Sequence, residues 1–297
     1  MKAHPIYQNK SLSFWGTVKF LSDNLGYSDR KSSTLRAYNL DECRSILAAN
    51  NILYNYAELI DIVSYLNYRS NILNSTVQNY LMNADDVQAL FNNITTDLDI
   101  NTLRCKLPLN KQKNEKKNLA FFTCIINILT EQTLNNFFNE TALNISFDSD
   151  PQSLAYILNN NHQIITTLSR RYDGALPSTV SPIAVWEIKE YYYTTTFGSR
   201  IADGIYETLL DGYEINQLPI ELRPKHYYFI DSKNTWWTLG KSYLCRIIDL
   251  LHMGFVTEVF FGREVIYSWP NALNELLHQK FPQFVQPKPI IQPMNIY

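Results

Sequence analysis

The 297-residue sequence has little glycine, no long apolar run and almost no net charge. With 9 Gly and 12 Pro, it is neither a collagen-like nor a low-complexity chain. Its most apolar stretch, from Leu119 to Leu129, is interrupted by Thr123 and Asn127, whereas a membrane-spanning helix needs about 20 apolar residues. We therefore expect no membrane segment.

The cysteines are few and far apart, which excludes the usual spacings of structural zinc sites and redox pairs. They are Cys43, Cys105, Cys124 and Cys245, and the five histidines are equally dispersed. Residues 1–10 contain no apolar stretch of the kind that a secretory signal requires. We therefore expect reduced thiols and a cytoplasmic protein.

Charge is balanced, with 26 Lys and Arg against 28 Asp and Glu, a formal charge of −2. The overall field therefore does not predict nucleic-acid binding, but a local basic patch remains compatible with it. The chain is 45% hydrophobic and contains 20 Tyr and 15 Phe. It can bury a large core, and its length fits one large domain or two ordinary ones.

Hydrophobic periodicity predicts that roughly the first 145 residues are mostly helical. The predicted helices cover Phe14–Leu25, Leu40–Ala49 after an Asn39 N-cap, Tyr56–Tyr68, Ala84–Phe91 and Asn118–Phe138. The basic segment Arg104–Lys117 contains Pro108 and separates the last two of them. It is interpreted either as a solvated linker or as a loop that contacts phosphates. We place a domain boundary here, between residues 1–117 and residues 118–297.

After residue 150 the pattern changes to strands that alternate with helices, which indicates an α/β domain with crossover connections. A β-rich stretch covers Ile164–Leu168. The later segments are a strand at Ile183–Tyr193, a helix at Ser199–Leu210, a strand at His226–Ile230, a helix at Leu239–Met253, a strand at Phe255–Phe261 and a helix at Asn271–Lys280.

One predicted hairpin places charged residues together. Asp173 precedes a connection rich in Gly, Pro and Ser, and Glu187 and Lys189 lie on the apolar strand that follows. Residues i and i+2 of a strand point to the same side, so Glu187 and Lys189 share one face, and Ala184, Trp186 and Ile188 take the other. The hairpin can bring Asp173 beside Glu187.

Two carboxylates and an ammonium group suit metal-dependent hydrolysis of a phosphodiester. Carboxylate oxygens, together with a backbone carbonyl, phosphate oxygens and water, can hold Mg²⁺. The metal polarises the phosphate and acidifies a bound water. A nearby lysine can orient or deprotonate that water and stabilise the charge that develops. The alternative is an exposed ion pair on a strand beside a turn aspartate.

This arrangement resembles the PD-(D/E)XK nuclease superfamily, in particular type II restriction endonucleases. Asp173 followed by Glu187-x-Lys189 matches the family pattern of an acid, a variable gap, then acid-x-Lys. The resemblance covers roughly residues 118–265 and departs from the pattern at Tyr172, which replaces a proline. It implies a restriction-endonuclease-like α-β-β-β-α-β core, a mixed sheet flanked by helices, with a mostly helical N-terminal region. A similar triplet, Asp231-Ser232-Lys233, has no upstream hairpin partner with an acid.

Basic and hydroxyl side chains flank the proposed centre. The nucleic-acid contacts we expect are Arg170, Arg171, Thr196, Ser199 and Arg200, because arginine forks and helix N-termini bind phosphate. The alternative for the arginines is that they are surface residues that contribute only to solubility. The alternative for Ser199 is that it simply caps the N-terminus of the helix.

Other acids have open assignments. Glu131 is a candidate additional acid, and the alternative is a solvated helix glutamate. Asp203, Glu207 and Asp211 repeat every four residues, and we interpret them as a solvated helix face rather than as acids that support the site. Glu190 is interpreted as an ion-pair residue.

The resemblance implies a Mg²⁺-dependent, sequence-specific endonuclease of a restriction–modification system that acts on double-stranded DNA. Asp173 and Glu187 would bind the metal, Lys189 would position the water, and the products would carry 5′-phosphates and 3′-hydroxyls. Residues 1–117 would serve DNA recognition or dimerisation, and cutting both strands of a symmetric site implies a homodimer. The alternatives are a repair or junction-resolving nuclease of the same superfamily and a non-catalytic DNA-binding protein on the same fold.

Overall fold

The N-terminal part of the chain is helical, as the periodicity predicts. The structure is a computed structural model that describes residues 1–29, 33–112, 117–194 and 197–284. The helices before the α/β part are α1 (Leu12–Leu25), α2 (Leu40–Ala49), α3 (Tyr56–Ile72), α4 (Gln78–Tyr80), α5 (Ala84–Thr95) and α6 (Phe121–Thr141). A π-helical turn, Leu73–Val77, joins α3 to α4.

Local sequence explains where the first helices begin. The side chain of Ser11 accepts a hydrogen bond from the Phe14 amide at 3.0 Å, and Asn39 accepts one from the Asp41 amide at 2.8 Å. These side chains satisfy amides that have no partner inside the helix. The helices α1, α2 and α3 then bury a shared apolar cluster that includes Trp15 and Tyr65.

The C-terminal part contains a mixed four-stranded sheet flanked by helices, which confirms the predicted α/β class. Its strands are β3 (Gly174–Leu176), β4 (Ala184–Glu190), β5 (Lys225–Asp231) and β6 (Glu258–Phe261), hydrogen-bonded in that order. The pair β3–β4 is antiparallel and the other two pairs are parallel. A separate hairpin is formed by β1 (Tyr156–Leu158) and β2 (Ile164–Thr167).

Helices cover both faces of this sheet. The crossovers are α7 (Ser199–Gln217), between β4 and β5, and α8 (Lys241–His252), between β5 and β6, and α9 (Val265–Lys280) follows β6. Trp186 and Phe229 pack with residues of α6 and α9 on one face, whereas Tyr228 packs with residues of α7 and α8 on the other. Strands that are buried on both faces usually consist of nearly continuous apolar residues, so the charged residues on β4 are unusual.

Several boundaries differ from the sequence prediction, and the last helix, α9, begins at Val265 rather than Asn271. The strand β4 ends at Glu190 rather than Tyr193, because its partner β5 ends at Asp231, opposite Glu190, and offers no further ladder. The helix α7 continues to Gln217 instead of ending at Leu210.

Among the described residues, no helix is long and apolar enough to cross a membrane.

Candidate functional site

The hairpin brings Asp173 to the side of β4, as the sequence predicts. The Asp173 amide donates to the Trp186 carbonyl at 3.0 Å, and Asp173 Oδ2 accepts from the Ile188 amide at 2.8 Å. The carboxyl group therefore lies beside the Glu187–Lys189 segment. Burial and the neighbouring Glu187 raise the pKa of Asp173 to about 6. Such a shift is typical of two carboxylates that share one site.

Glu187 and Lys189 form a buried ion pair on the face of β4 that points toward α7. Lys189 Nζ lies 2.8 Å from Glu187 Oε2. Burial by itself would lower the pKa of Lys189, but the charge of Glu187 raises it well above the usual value. The lysine is therefore an ammonium group in the free protein. As predicted, Ala184, Trp186 and Ile188 belong to the apolar cluster on the opposite face.

Arg170 connects this pair to α7. Its Nη1 lies 3.0 Å from Asp211 Oδ2 and 3.8 Å from Glu187 Oε1, and its Nη2 lies 2.9 Å from Glu207 Oε2. The interpretation of these α7 acids as a solvated face is wrong for Asp211, which is fully buried. Burial raises the pKa of Asp211 to about 7, although the Arg170 guanidinium opposes the shift. Sequence reasoning missed this contact because Arg170 and Asp211 lie far apart along the chain.

Four of these residues line a cleft of about 1370 Å³, namely Arg170, Asp173, Glu187 and Lys189. One wall comes from the basic segment, where Gln112 Nε2 donates to the Glu190 carbonyl at 3.1 Å and Gln112 Oε1 accepts from the Tyr193 amide at 3.1 Å. Lys111, in the same wall, lowers the pKa of Asp173 against the effect of burial. The part of the basic segment around residues 108–112 is therefore a wall of the site. Residues 113–116 lie outside the described ranges.

The predicted phosphate contacts are distributed unevenly around this cleft. Arg170 and Arg171 line it, and Arg171 is exposed. Ser199 is exposed and begins α7, but the N-cap is Gly198, so the simple capping interpretation of Ser199 is wrong. Thr196 and the side chain of Arg200 lie outside the described parts of the structure.

Glu131, the candidate additional acid, lies elsewhere. It is buried on α6 and accepts hydrogen bonds from the Arg104 amide at 3.0 Å and the Cys105 amide at 2.8 Å. It is not among the described residues that line the cleft. The solvated-glutamate interpretation is also wrong, because Glu131 is 5% exposed. Its carboxylate instead fixes the chain that follows Leu103.

Glu190 makes a contact different from the predicted ion pair. Its Oε2 accepts from the Thr123 amide at 3.2 Å, at the start of α6. Burial raises the pKa of Glu190 to about 8, and the backbone amides of Thr123 and Phe122 lower it in part. No cation pairs with Glu190 within the described ranges. A backbone amide at the start of α6, rather than a cation, is therefore the partner of this carboxyl group.

Comparison with protein families gives two matches. Residues 82–276 match the family described as Domain of unknown function (DUF7687), and residues 1–76 match the one described as Domain of unknown function (DUF7690). The first match covers more than half of the chain. The chain belongs to the DUF7687 family. Comparisons with curated proteins and with solved structures gave no match.

All of the acids and bases in the cleft that are described above lie within the DUF7687 match. The two family matches meet between residues 76 and 82, whereas the basic segment at which the sequence predicts a boundary lies inside the DUF7687 region. Neither family description assigns an activity.

The DUF7687 site has features that fit a divalent cation. Glu187 Oε1 is buried and has no hydrogen-bond partner among the described residues, and Asp173 adds a second carboxylate beside it. Arg170 Nη1 lies 3.8 Å from this oxygen, beyond hydrogen-bonding distance, so a directly bound cation would compensate the missing hydrogen bond. No group of three or more His, Cys, Asp or Glu residues in the described ranges is arranged to hold a metal. Mg²⁺ commonly binds through one or two carboxylates and takes its other ligands from water and phosphate.

Proposed function

We propose that the protein is a Mg²⁺-dependent endonuclease that hydrolyses phosphodiester bonds in double-stranded DNA. The observation that carries this proposal is the placement of Asp173, Glu187 and Lys189 together in an open cleft, with one carboxylate oxygen of Glu187 buried and without a hydrogen-bond partner in the described structure. Buried charges on an otherwise apolar strand are typical of functional sites.

In this proposal Asp173 and Glu187 hold the ion, which supplies Lewis-acid activation of the phosphate and of a water molecule. Lys189 lies 2.8 Å from Glu187 and lines the cleft, so its ammonium group is placed to donate hydrogen bonds to the attacking water or to a phosphate oxygen. The Ile188 amide holds the Asp173 carboxylate in position. Hydrolysis would leave a 5′-phosphate and a 3′-hydroxyl.

The fold supports assigning the DUF7687 region to the PD-(D/E)XK superfamily. The order α6, β3, β4, α7 and β5 supports this assignment, with two differences: the separate hairpin β1–β2 lies between α6 and β3, and an isolated bridge between Asp148 and Ala175 takes the place of the first strand. The positions of Asp173 before β3 and of Glu187 and Lys189 on β4 also support it. We extend the proposal to a type II restriction enzyme that acts as a homodimer, because a symmetric site is cut by a symmetric protein.

The proposal is tested by incubating mixed plasmid and phage DNA with the full chain in Mg²⁺ and, separately, in EDTA. The Lys189→Ala variant is assayed in parallel. Discrete bands that require both Mg²⁺ and Lys189 support a site-specific enzyme. A smear with the same requirements supports a repair-type or non-specific nuclease and removes the restriction assignment. DNA binding without cleavage, unaffected by Mg²⁺ or the substitution, would support the non-catalytic alternative.

A further inference from the structure

Two of the cations that line the cleft, Arg170 and Lys189, converge on a single carboxylate of α7. Glu207 Oε2 lies 2.9 Å from Arg170 Nη2 and 3.6 Å from Lys189 Nζ. One oxygen atom thus bridges a guanidinium and an ammonium group. A non-bridging phosphate oxygen would make the same two contacts, and arginine forks match phosphate oxygens well.

Glu207 differs from the other carboxylates around Arg170 in its access to water. Its side chain is 38% exposed, whereas those of Asp211 and Glu187 are 0% and 3% exposed. Breaking a buried pair leaves an uncompensated buried charge, but a partly exposed carboxylate can leave its partner and be solvated. Of these three acids, Glu207 is therefore the one that can be displaced.

The charge of the cleft also favours this displacement. Asp173, Glu187, Glu207 and Asp211 surround Arg170 and Lys189, and Lys111 and Arg171 also line the cleft. Each ionised carboxylate beside Arg170 and Lys189 repels a phosphate. Withdrawal of Glu207 removes one of them and frees hydrogen-bond donors of Arg170, which lines the cleft.

We propose that the Glu207 carboxylate occupies, in the free protein, the place that a backbone phosphate of the nucleic acid takes when substrate binds. Arg170 and Lys189 form the phosphate subsite, and Glu207 acts as an internal competitor that the phosphate displaces. Asp211 keeps Arg170 in position throughout. The inference rests on the proposed function insofar as the ligand is a nucleic acid, but it requires no cleavage.

Binding of a fluorescein-labelled DNA duplex, measured by anisotropy in EDTA, tests the inference with the full-length protein. Glu207→Gln removes the competing charge and keeps the side-chain shape. We expect it to bind the duplex about fivefold more tightly, as for the loss of a competing ion pair of about 1 kcal/mol. The matched control is Asp203→Asn, which removes the same charge from an exposed position one turn earlier on α7.

Salt dependence provides a second readout. In the native protein, salt also screens the repulsion between the displaced carboxylate and the phosphate, which offsets part of the loss of affinity with salt. In Glu207→Gln this offset is absent, so log affinity should fall more steeply with log salt. Asp203→Asn should keep the native slope, and its affinity should change by less than about twofold because exposed charges are screened.

A Glu207→Gln protein that binds no more tightly than Asp203→Asn would overturn the inference, as would a Glu207→Ser protein that binds more weakly than the native chain. Tighter binding by a protein that cleaves no DNA would support the phosphate subsite and contradict the nuclease proposal. DNA cleavage by the native protein, together with no effect of Glu207→Gln on binding, would support the nuclease proposal and contradict the phosphate subsite. Failure of all variants to bind the duplex in EDTA would contradict the phosphate subsite.

Discussion

Glu131 illustrates, at the scale of a single residue, how a buried carboxylate can serve the fold rather than the chemistry. Burial opposes its ionisation, but the amides of Arg104 and Cys105 stabilise the carboxylate more strongly, so its pKa is lowered. A group whose pKa is lower in the folded state contributes stability above its unfolded pKa and loses it as the pH falls. Glu131 is therefore expected to stabilise the protein near neutral pH.

Replacement of Glu131 by Gln tests this role. A Gln side chain has one acceptor oxygen and no charge, so it binds the two backbone amides more weakly than the carboxylate does. We therefore expect the free energy of unfolding at pH 7 to fall by about 1–3 kcal/mol. The difference between native protein and variant should shrink as the pH falls below roughly 4.3, the pKa of an unperturbed glutamate, because protonation then favours the unfolded chain. Urea unfolding across pH measures both effects. A difference that is equal at pH 7 and pH 3 would contradict the explanation.

The elements show what the sequence could predict and what it could not. The alternation along β4 predicted which residues face α7 and which face the core, because the strand period is a local property. The spacing of the α7 acids predicts the wrong environment for Asp211, because regular spacing of charges on a helix indicates a solvent-facing surface unless a distant partner is known. The partner of Asp211 is Arg170, and only the tertiary fold brings the two together.

Two glycines of α7 provide a test of how closely this helix packs on the sheet and on the loop after α8. A Cβ atom at Gly204 would lie 3.4 Å from Lys189 Cε, an ordinary contact, whereas one at Gly212 would lie 2.4 Å from the Phe255 carbonyl oxygen. Gly204→Ala should raise the free energy of unfolding by about 0.5–1 kcal/mol, since alanine favours helix. Gly212→Ala should lower it by about 1–3 kcal/mol through overpacking.

Chemical denaturation of the two glycine variants and of the native protein measures these changes in the free energy of unfolding. Both substitutions add one methyl group to the same helix, so each serves as the control for the other. Equal changes in stability, or a Gly204→Ala protein less stable than Gly212→Ala, would contradict the packing described for α7.

At the scale of the whole molecule, a buried ion pair connects the two family regions. Arg69 of α3 is fully buried, and its Nη1 lies 2.9 Å from Asp249 Oδ2 of α8. Tyr65 donates to Asp249 Oδ1 at 2.6 Å, and Arg69 Nη2 donates to Ser22 Oγ at 2.9 Å. This network ties the N-terminal helices to the α/β part. The sequence did not predict it, because it depends on residues that the fold brings together from opposite ends of the chain.

Asp249→Ala would leave the Arg69 guanidinium buried without its partner. We expect the free energy of unfolding to fall by about 3–5 kcal/mol. The exposed pair between Arg44 and Asp41 supplies the control, because Asp41→Ala should change stability by less than about 1 kcal/mol. Replacement of both buried partners, Arg69→Met with Asp249→Leu, should recover part of the loss. A single variant as stable as the native protein would contradict this account of the interface.

The central claim is that Lys189 acts in Mg²⁺-dependent DNA cleavage. Its most direct test compares two lysines that follow an acid at the same spacing. Lys189 lies in the cleft beside Glu187, whereas Lys233 is exposed and follows Asp231, whose carboxylate already accepts from Met82, Ser232 and Tyr192. The measurement is the rate of Mg²⁺-dependent DNA cleavage by the native protein, Lys189→Ala and Lys233→Ala. We predict that Lys189→Ala lowers the rate by at least about 100-fold and that Lys233→Ala cleaves like the native protein. Equal rates for the two variants, or no Mg²⁺-dependent cleavage by the native protein, would contradict the claim.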